Sequence, residues 1–190
     1  MAIVLKNNRS VTFQLLRSTD ADRLFHYFSS SLSIESKSRY GPHPFDKVSV
    51  DGICAGLPGD TTRYIAIDDH NSIVAYMLIK KGMIESDRTR LLMKNIYYNK
   101  NTVCTFAPSV ADAWQNTGLG SLLFDHIEKD ILKPASYTHI ILWGGVQATN
   151  SRAVHFYEKK GFQHLGTFWH EGKENYDMMK ELEIKRSHTL

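Results

Sequence analysis

Apolar positions recur with a period of two in some stretches of the chain and near 3.6 in others, and the order of the two periods predicts an α/β protein. Residues 11–16 (Val-Thr-Phe-Gln-Leu-Leu) alternate well enough for a half-buried strand. A helix should follow, capped by Thr19 or Asp20, with Leu24, Phe25, Tyr27 and Phe28 turned toward a sheet. Gly41, Pro42 and Pro44 exclude regular helix from residues 38–45. A second helix runs from about Asp46, its cap, to Cys54 and ends near Gly56-Leu57-Pro58-Gly59. Residues 63–68 and 73–79 are apolar strands joined through the polar turn Asp69-His70-Asn71, a central hairpin.

Between Lys80 and Asn101 the periods mix. Gly82 to Glu85 is compatible with more strand, and residues 88–98 combine helix formers with Tyr97 and Tyr98. Periodicity returns with the β-prone run 103–110 and with Leu119, Leu122, Leu123, Phe124, Ile127, Ile131 and Leu132 at helical spacing. Residues 137–143 are strongly β-prone, Asn150 caps a helix carrying Ala153, Phe156 and Tyr157 on one face, and Gly161 stops it. Residues 162–168 and 176–182 form a closing hairpin, and the polar tail 183–190 is expected to fray.

Between the strand at 103–110 and the helix after it lies Gln115-Asn116-Thr117-Gly118-Leu119-Gly120-Ser121. Gly118 and Gly120 let the backbone turn sharply and approach a ligand, while the first amides of the new helix point outward with the positive end of the helix dipole behind them. That is a cradle for an anion such as pyrophosphate. A P-loop would need Lys and Ser or Thr after the second glycine of Gly-x4-Gly, whereas Gly120 is followed by Ser121 and Leu122. A dinucleotide fold would need a third glycine at position 123, which is Leu.

Read as Gln-x-x-Gly-x-Gly, with Val110 five residues ahead, the stretch resembles the acetyl-CoA signature of the GNAT N-acetyltransferase superfamily. A second element of that superfamily lies downstream, where residues 150–162 match Asn-x-x-Ala-x-x-Phe-Tyr-x-x-x-Gly-Phe. The resemblance is sharp from about Val103 to Leu182 and looser upstream. It implies a mixed, mostly antiparallel central sheet of about seven strands, splayed in the middle between the strands at 103–110 and 137–143, and flanked by helices. It also implies acetyl-CoA as co-substrate, with backbone amides of Gln115, Asn116, Thr117, Gly118, Leu119, Gly120 and Ser121 on the pyrophosphate. Main-chain groups of Pro108, Ser109 and Val110 and the side chain of Asn150 then align the pantetheine arm, and Tyr157 protonates or hydrogen-bonds the departing thiolate.

Pro108 departs from the pattern. The family often polarises the thioester carbonyl with an amide seven residues before the motif Gln, and proline has none. Val110 is one alternative donor. Cys104 stands where some relatives carry a carboxylate, so the general base is open among Glu85, Asp68 and His43. In the family the loop between the first two helices lines the acceptor site, which puts Arg39, Tyr40 and His43, with Glu85, forward as substrate contacts. About fifteen residues around 85–101 look like an insertion, whose use as acceptor lid, dimer arm or idle loop stays open.

Length and composition narrow the picture. The 190 residues suit one domain, residues 1–190, and a chain of that size buries roughly 70% of its unfolded surface. A net charge of +3 is too slight to argue for nucleic acid. No run of about 18 apolar residues suggests a membrane span, and the first sixteen residues lack the order of a signal peptide. Two cysteines are too few for a disulfide framework, which points to the cytoplasm. No metal spacing surrounds His139 or His155. The reading is an acetyl-CoA-dependent N-acetyltransferase acting on a primary amine. The alternatives are a non-catalytic acyl-CoA sensor, which Pro108 favours, and a long-chain acyltransferase, which bulky Phe106, Trp143 and Phe156 disfavour; a homodimer is left open.

Overall fold

Nine strands and six α-helices are assigned in the computed structural model, which describes residues 2–5 and 8–183. The architecture is an open, mixed, mostly antiparallel sheet flanked by helices, with strand order β1-β2-β3-β4-β5-β6-β9-β7 and β8 beside β9. The tail expected to fray lies at residues 183–190, of which only Glu183 is among the described residues.

The chain sorts into two compact units. The first holds residues 1–80 and 106–123. Here β1 (Ala2–Val4), β2 (Ser10–Leu15), β3 (Thr61–Asp68) and β4 (Ile73–Lys81) pair antiparallel in sequence. Every residue of β4 from Ile73 to Ile79 is buried, as an unbroken apolar run in a central strand requires. The helix expected after β2 appears as α1 (Ala21–His26), continued by a wider π-type turn, Tyr27–Ser31, that buries Tyr27 and Phe28. A short helix absent from the sequence reading, α2 (Ile34–Ser38), comes next, then α3 (Lys47–Ala55), capped by Asp46 through its carboxylate on the Ser49 amide at 2.9 Å. Residues 106–110 of β5 (Val103–Val110), a tight 3-10 turn over Asp112–Trp114 and the start of α5 (Leu119–His126) complete the unit.

The second unit holds residues 81–105 and 124–190. The ambiguous stretch resolves as helix α4 (Glu85–Met93), not as more strand. Leu91 packs with Val103 and Ile141, while the polar side of the helix is held by ions: Arg90 bonds Asp87 at 2.6 Å and Asp177 at 2.9 Å and lies over Phe168, and Lys94 reaches Asp177 at 2.6 Å. Beyond α5 a π-type segment, Ile127–Leu132, leads to β6 (His139–Leu142), β7 (Val146–Gln147), α6 (Ser151–Lys159) and the hairpin β8 (Gln163–His170) and β9 (Lys173–Glu181). β6 starts beside β5, where the amides of Thr138 and His139 both reach the Thr102 carbonyl, at 2.7 and 3.3 Å. Two short strands, β1 and β7, raise the count above the seven or so expected. Cys54 and Cys104 are both free and buried, and burial pushes the Cys104 thiol up to about 12.

Candidate active site

The alternation of β5 decides which of its backbone groups are available. The Ala111 amide donates to the Val74 carbonyl at 2.9 Å, so odd-numbered residues at this end of the strand turn their amides and carbonyls toward β4. Even-numbered residues turn theirs the other way. The Val110 carbonyl accepts from Gln115 Nε2 at 3.1 Å on that outer side, and the Val110 amide faces the same way. Pro108 shares this parity, so its missing donor removes no rung to β4. Ser109 faces Tyr76 in the register set by Ala111 and Val74, and its hydroxyl meets the Tyr27 hydroxyl at 2.8 Å.

After β5 the 3-10 turn carries Trp114, buried and covered by the Arg9 guanidinium, with Cζ 3.3 Å from the ring centre. The loop then passes through two left-handed residues, Asn116 (φ 62°) and Gly118 (φ 88°), and Thr117 Oγ1 donates to the Trp114 carbonyl at 2.7 Å. Left-handed backbone is costly for most L-residues and routine for Gly and tolerable for Asn, which explains both identities. A Cβ at Gly118 would meet no atom within 4 Å. The first rung of α5 runs from the Leu122 amide to the Gly118 carbonyl at 3.1 Å, so the Gly120 and Ser121 amides precede the ladder and point out of the helix start. Open space over Gly118, two outward amides and the helix dipole together can seat an anion. The Gln115 side chain faces elsewhere. Its Nε2 also donates to Asp112 Oδ1 at 3.0 Å and reaches Ser36 Oγ at 3.4 Å.

Of the acceptor-loop candidates, Arg39 closes α2 and pairs with Glu35 at 2.7 Å, and Tyr40 is buried with its ring parallel to Phe45. His43 lies among Phe28, Phe45 and Tyr76, each within 6 Å of its ring centre. Its Nδ1 donates to the Pro44 carbonyl at 2.7 Å, which leaves Nε2 with the lone pair, and that nitrogen is buried with no hydrogen-bond partner among the described residues. Burial, with the nearby Arg63 charge, holds His43 below the usual histidine value although the Pro44 bond opposes this. The imidazole is therefore a neutral acceptor at pH 7. Asp68 instead closes the β3–β4 turn, accepting from the His70 and Ser72 amides at 3.1 and 2.8 Å.

Glu85, Asn150 and Tyr157 belong to the second unit. Glu85 is gripped by Arg88 at 2.8 and 3.0 Å, which holds its carboxyl below the usual range and makes it a poor base. Asn150 caps α6, its Oδ1 accepting from the Ala153 amide at 3.3 Å, a role that uses neither of its amide hydrogens. The Tyr157 ring packs edge-on against Phe156 and Phe162, and its phenol has no hydrogen-bond partner among the described residues. Burial pushes that phenol above its ordinary value, so it stays protonated. His155 is exposed, and His139 Nδ1 lies 2.8 Å from the Thr138 hydroxyl. Nothing in the sequence singles out Asp112 and Ser36, which meet across 76 residues and belong to no local motif.

Among the described residues there is no cluster of three or more His, Cys, Asp or Glu able to hold a metal, and no helix long and apolar enough to cross a membrane. The family described as Acetyltransferase (GNAT) domain matches residues 60–164. Among characterised proteins none matches the sequence significantly. The fold is similar to that of the GNAT domain of S. lividans PAT, at 17% identity and a TM-score of 0.73 over 96% of each chain. It is also similar to a putative phosphinothricin N-acetyltransferase (15% identity, TM-score 0.67, 91% of this chain and 99% of that one). A third likeness is to the aminoglycoside acetyltransferase AAC(6')-Ib in complex with coenzyme A (20% identity, TM-score 0.64, 90% and 94%).

Proposed function

The chain belongs to the GNAT acetyltransferase family, and we propose that it transfers the acetyl group of acetyl-CoA to a primary amine by direct attack. The observation that carries this reading is the open space at Gly118 in front of the outward amides of Gly120 and Ser121. These residues hold the pyrophosphate, the outer edge of β5 at Val110 runs beside the pantetheine arm, and Asn150 hydrogen-bonds that arm with its amide hydrogens. Acetyl-CoA supplies a thioester reactive enough for an amine to attack without a covalent enzyme intermediate.

Three groups of the chain then act on the reaction. The Val110 amide, on the outer side of β5, donates to the thioester carbonyl in place of the amide that Pro108 lacks. His43 Nε2 accepts the proton of the attacking amine, since Asp68 is committed to a turn and Glu85 to Arg88. Tyr157, kept neutral by burial, hydrogen-bonds the departing thiolate; its raised pKa suits donation in a hydrogen bond better than prior ionisation. Free buried thiols fit a reducing compartment, and the cytoplasm is the proposed location.

Calorimetric titration with acetyl-CoA and with CoA, beside thiol release across a panel of amines, tests the reading. Micromolar binding with release for one amine class is the expected result and names the acceptor. Binding without release for any amine would favour the non-catalytic sensor, whose support is the donor lost at Pro108. Absence of binding would overturn the cradle.

A further inference from the structure

The motif glutamine has a side-chain task separate from the backbone cradle. Gln115 Nε2 shares its two hydrogens among the Val110 carbonyl (3.1 Å), Asp112 Oδ1 (3.0 Å) and Ser36 Oγ (3.4 Å). Asp112 in turn accepts from the Ser36 hydroxyl at 2.6 Å through Oδ1 and from the Ser33 amide at 2.9 Å through Oδ2. Five hydrogen bonds thus join three segments: the end of β5, the loop that opens the cradle, and the first turn of α2. The partners on α2 lie 76 to 79 residues away in sequence.

The residues of α2 add little to the core, the buried side chains nearby being Leu32 before it and Tyr40 after it. The helix has five residues, none of them buried, and Ile34 is 86% exposed. A single-turn helix with no apolar face is unstable on its own, so its position depends on tertiary anchors. A cavity of about 490 Å³ adjoins its start, with Ser33 and Asp112 both in the wall, so dense packing does not substitute for the polar link. Past α2 the chain runs directly into Arg39, Tyr40 and His43.

We infer that Gln115 and Asp112 are positioning residues that couple occupancy of the cradle to the order of α2 and the acceptor loop after it. An anion drawn onto the Gly120 and Ser121 amides fixes the loop that begins at Gln115. The fixed Gln115 amide holds the Asp112 carboxylate, and that carboxylate holds the Ser33 amide and Ser36 hydroxyl. The coupling is reciprocal, so order in α2 favours the loaded cradle by the same factor. This inference rests on the cradle binding CoA, and the test separates the two.

Amide hydrogen exchange, read with and without saturating acetyl-CoA, gives the result. In the wild type, exchange should slow at least threefold both at residues 117–122 and at residues 33–39. Ser36→Ala and Asp112→Ala, which both lie outside the cradle, should each keep the slowing at 117–122 and lose it at 33–39. Acetyl-CoA affinity in Ser36→Ala should fall by about the factor by which wild-type exchange slows at 33–39, as reciprocity requires. Slowing at 117–122 alone in the wild type would overturn the coupling and leave the cradle intact. Slowing at 33–39 that survives both substitutions would mean α2 touches the ligand directly, which also overturns it. No slowing at 117–122 would remove the cradle and the inference together.

Discussion

Two carboxylate centres, one in each unit, do opposite things with similar chemistry. Asp112 accepts from three neutral donors, a backbone amide, a serine hydroxyl and a glutamine amide. Around Asp177 the donors are the cations Arg90 and Lys94, with Asp87, fully buried, sharing Arg90 Nη2 and taking the Gly144 amide at 3.1 Å. Burial pushes Asp87 upward despite these partners. Neutral donors can release and re-form at modest cost, whereas a buried ion left alone is penalised heavily. The first centre suits a part of the molecule that responds to a ligand. The second suits a part that must not move, and it fixes α4 against β8 and β9.

The sharpest way to break that contrast is Asp177→Ala. It strips two cations of a buried partner and should cost about 3–5 kcal/mol in denaturant unfolding, while acetyl-CoA affinity of the folded protein stays within about twofold. Loss of affinity in proportion to stability would mean the ionic centre is not merely a lock. Next comes Gly118→Asp. No protein atom obstructs the new side chain, so the fold should lose only about 1–2 kcal/mol for the left-handed backbone, yet acetyl-CoA affinity should drop at least 100-fold, or about 2.7 kcal/mol. Equal affinity would show that the space over Gly118 is not a binding surface.

Tyr157→Phe removes one hydroxyl from a packed ring and should lower kcat about 30-fold, roughly 2 kcal/mol, with acetyl-CoA affinity unchanged. Joint loss of both would assign the ring to packing. The smallest effect expected near neutrality is the pH profile. His43 acts as a base only when neutral, and burial lowers its pKa, so kcat/KM should be flat at pH 7 and fall as pH drops through a value below 6.5, about tenfold per unit. His43→Gln should abolish that limb. Tyr157, with its pKa raised, should add no fall below pH 10. A limb that survives His43→Gln would transfer the base role elsewhere.

Local pattern was enough wherever the chain's own neighbours determine the outcome. Strand β5 was read at its true limits, Asp46 and Asn150 proved to be caps, and the glycine loop lies between strand and helix as its residues require. The failures share a cause. Helix α4 has a weak apolar face and is held by Asp177, some 87 residues beyond Arg90, so its periodicity alone did not mark its limits. Helix α2 hid in a serine-rich stretch because its anchor is Asp112. At the candidate site, glycines and caps were visible, while the Asp112–Gln115 node and the aromatic surroundings of His43 depend on contacts made only in the fold.

Pro108 has a consequence for association between molecules. An exposed strand edge that offers amide and carbonyl in regular alternation is a template for a foreign strand. On the outer side of β5 the rung at 108 can accept but never donate. A second chain attempting to extend the sheet there meets a gap in the ladder one step before the end, whereas a small ligand that asks for one donor still finds Val110. The proline thus leaves a fixed gap in the ladder on that side of β5, a local guard against strand addition built from one residue.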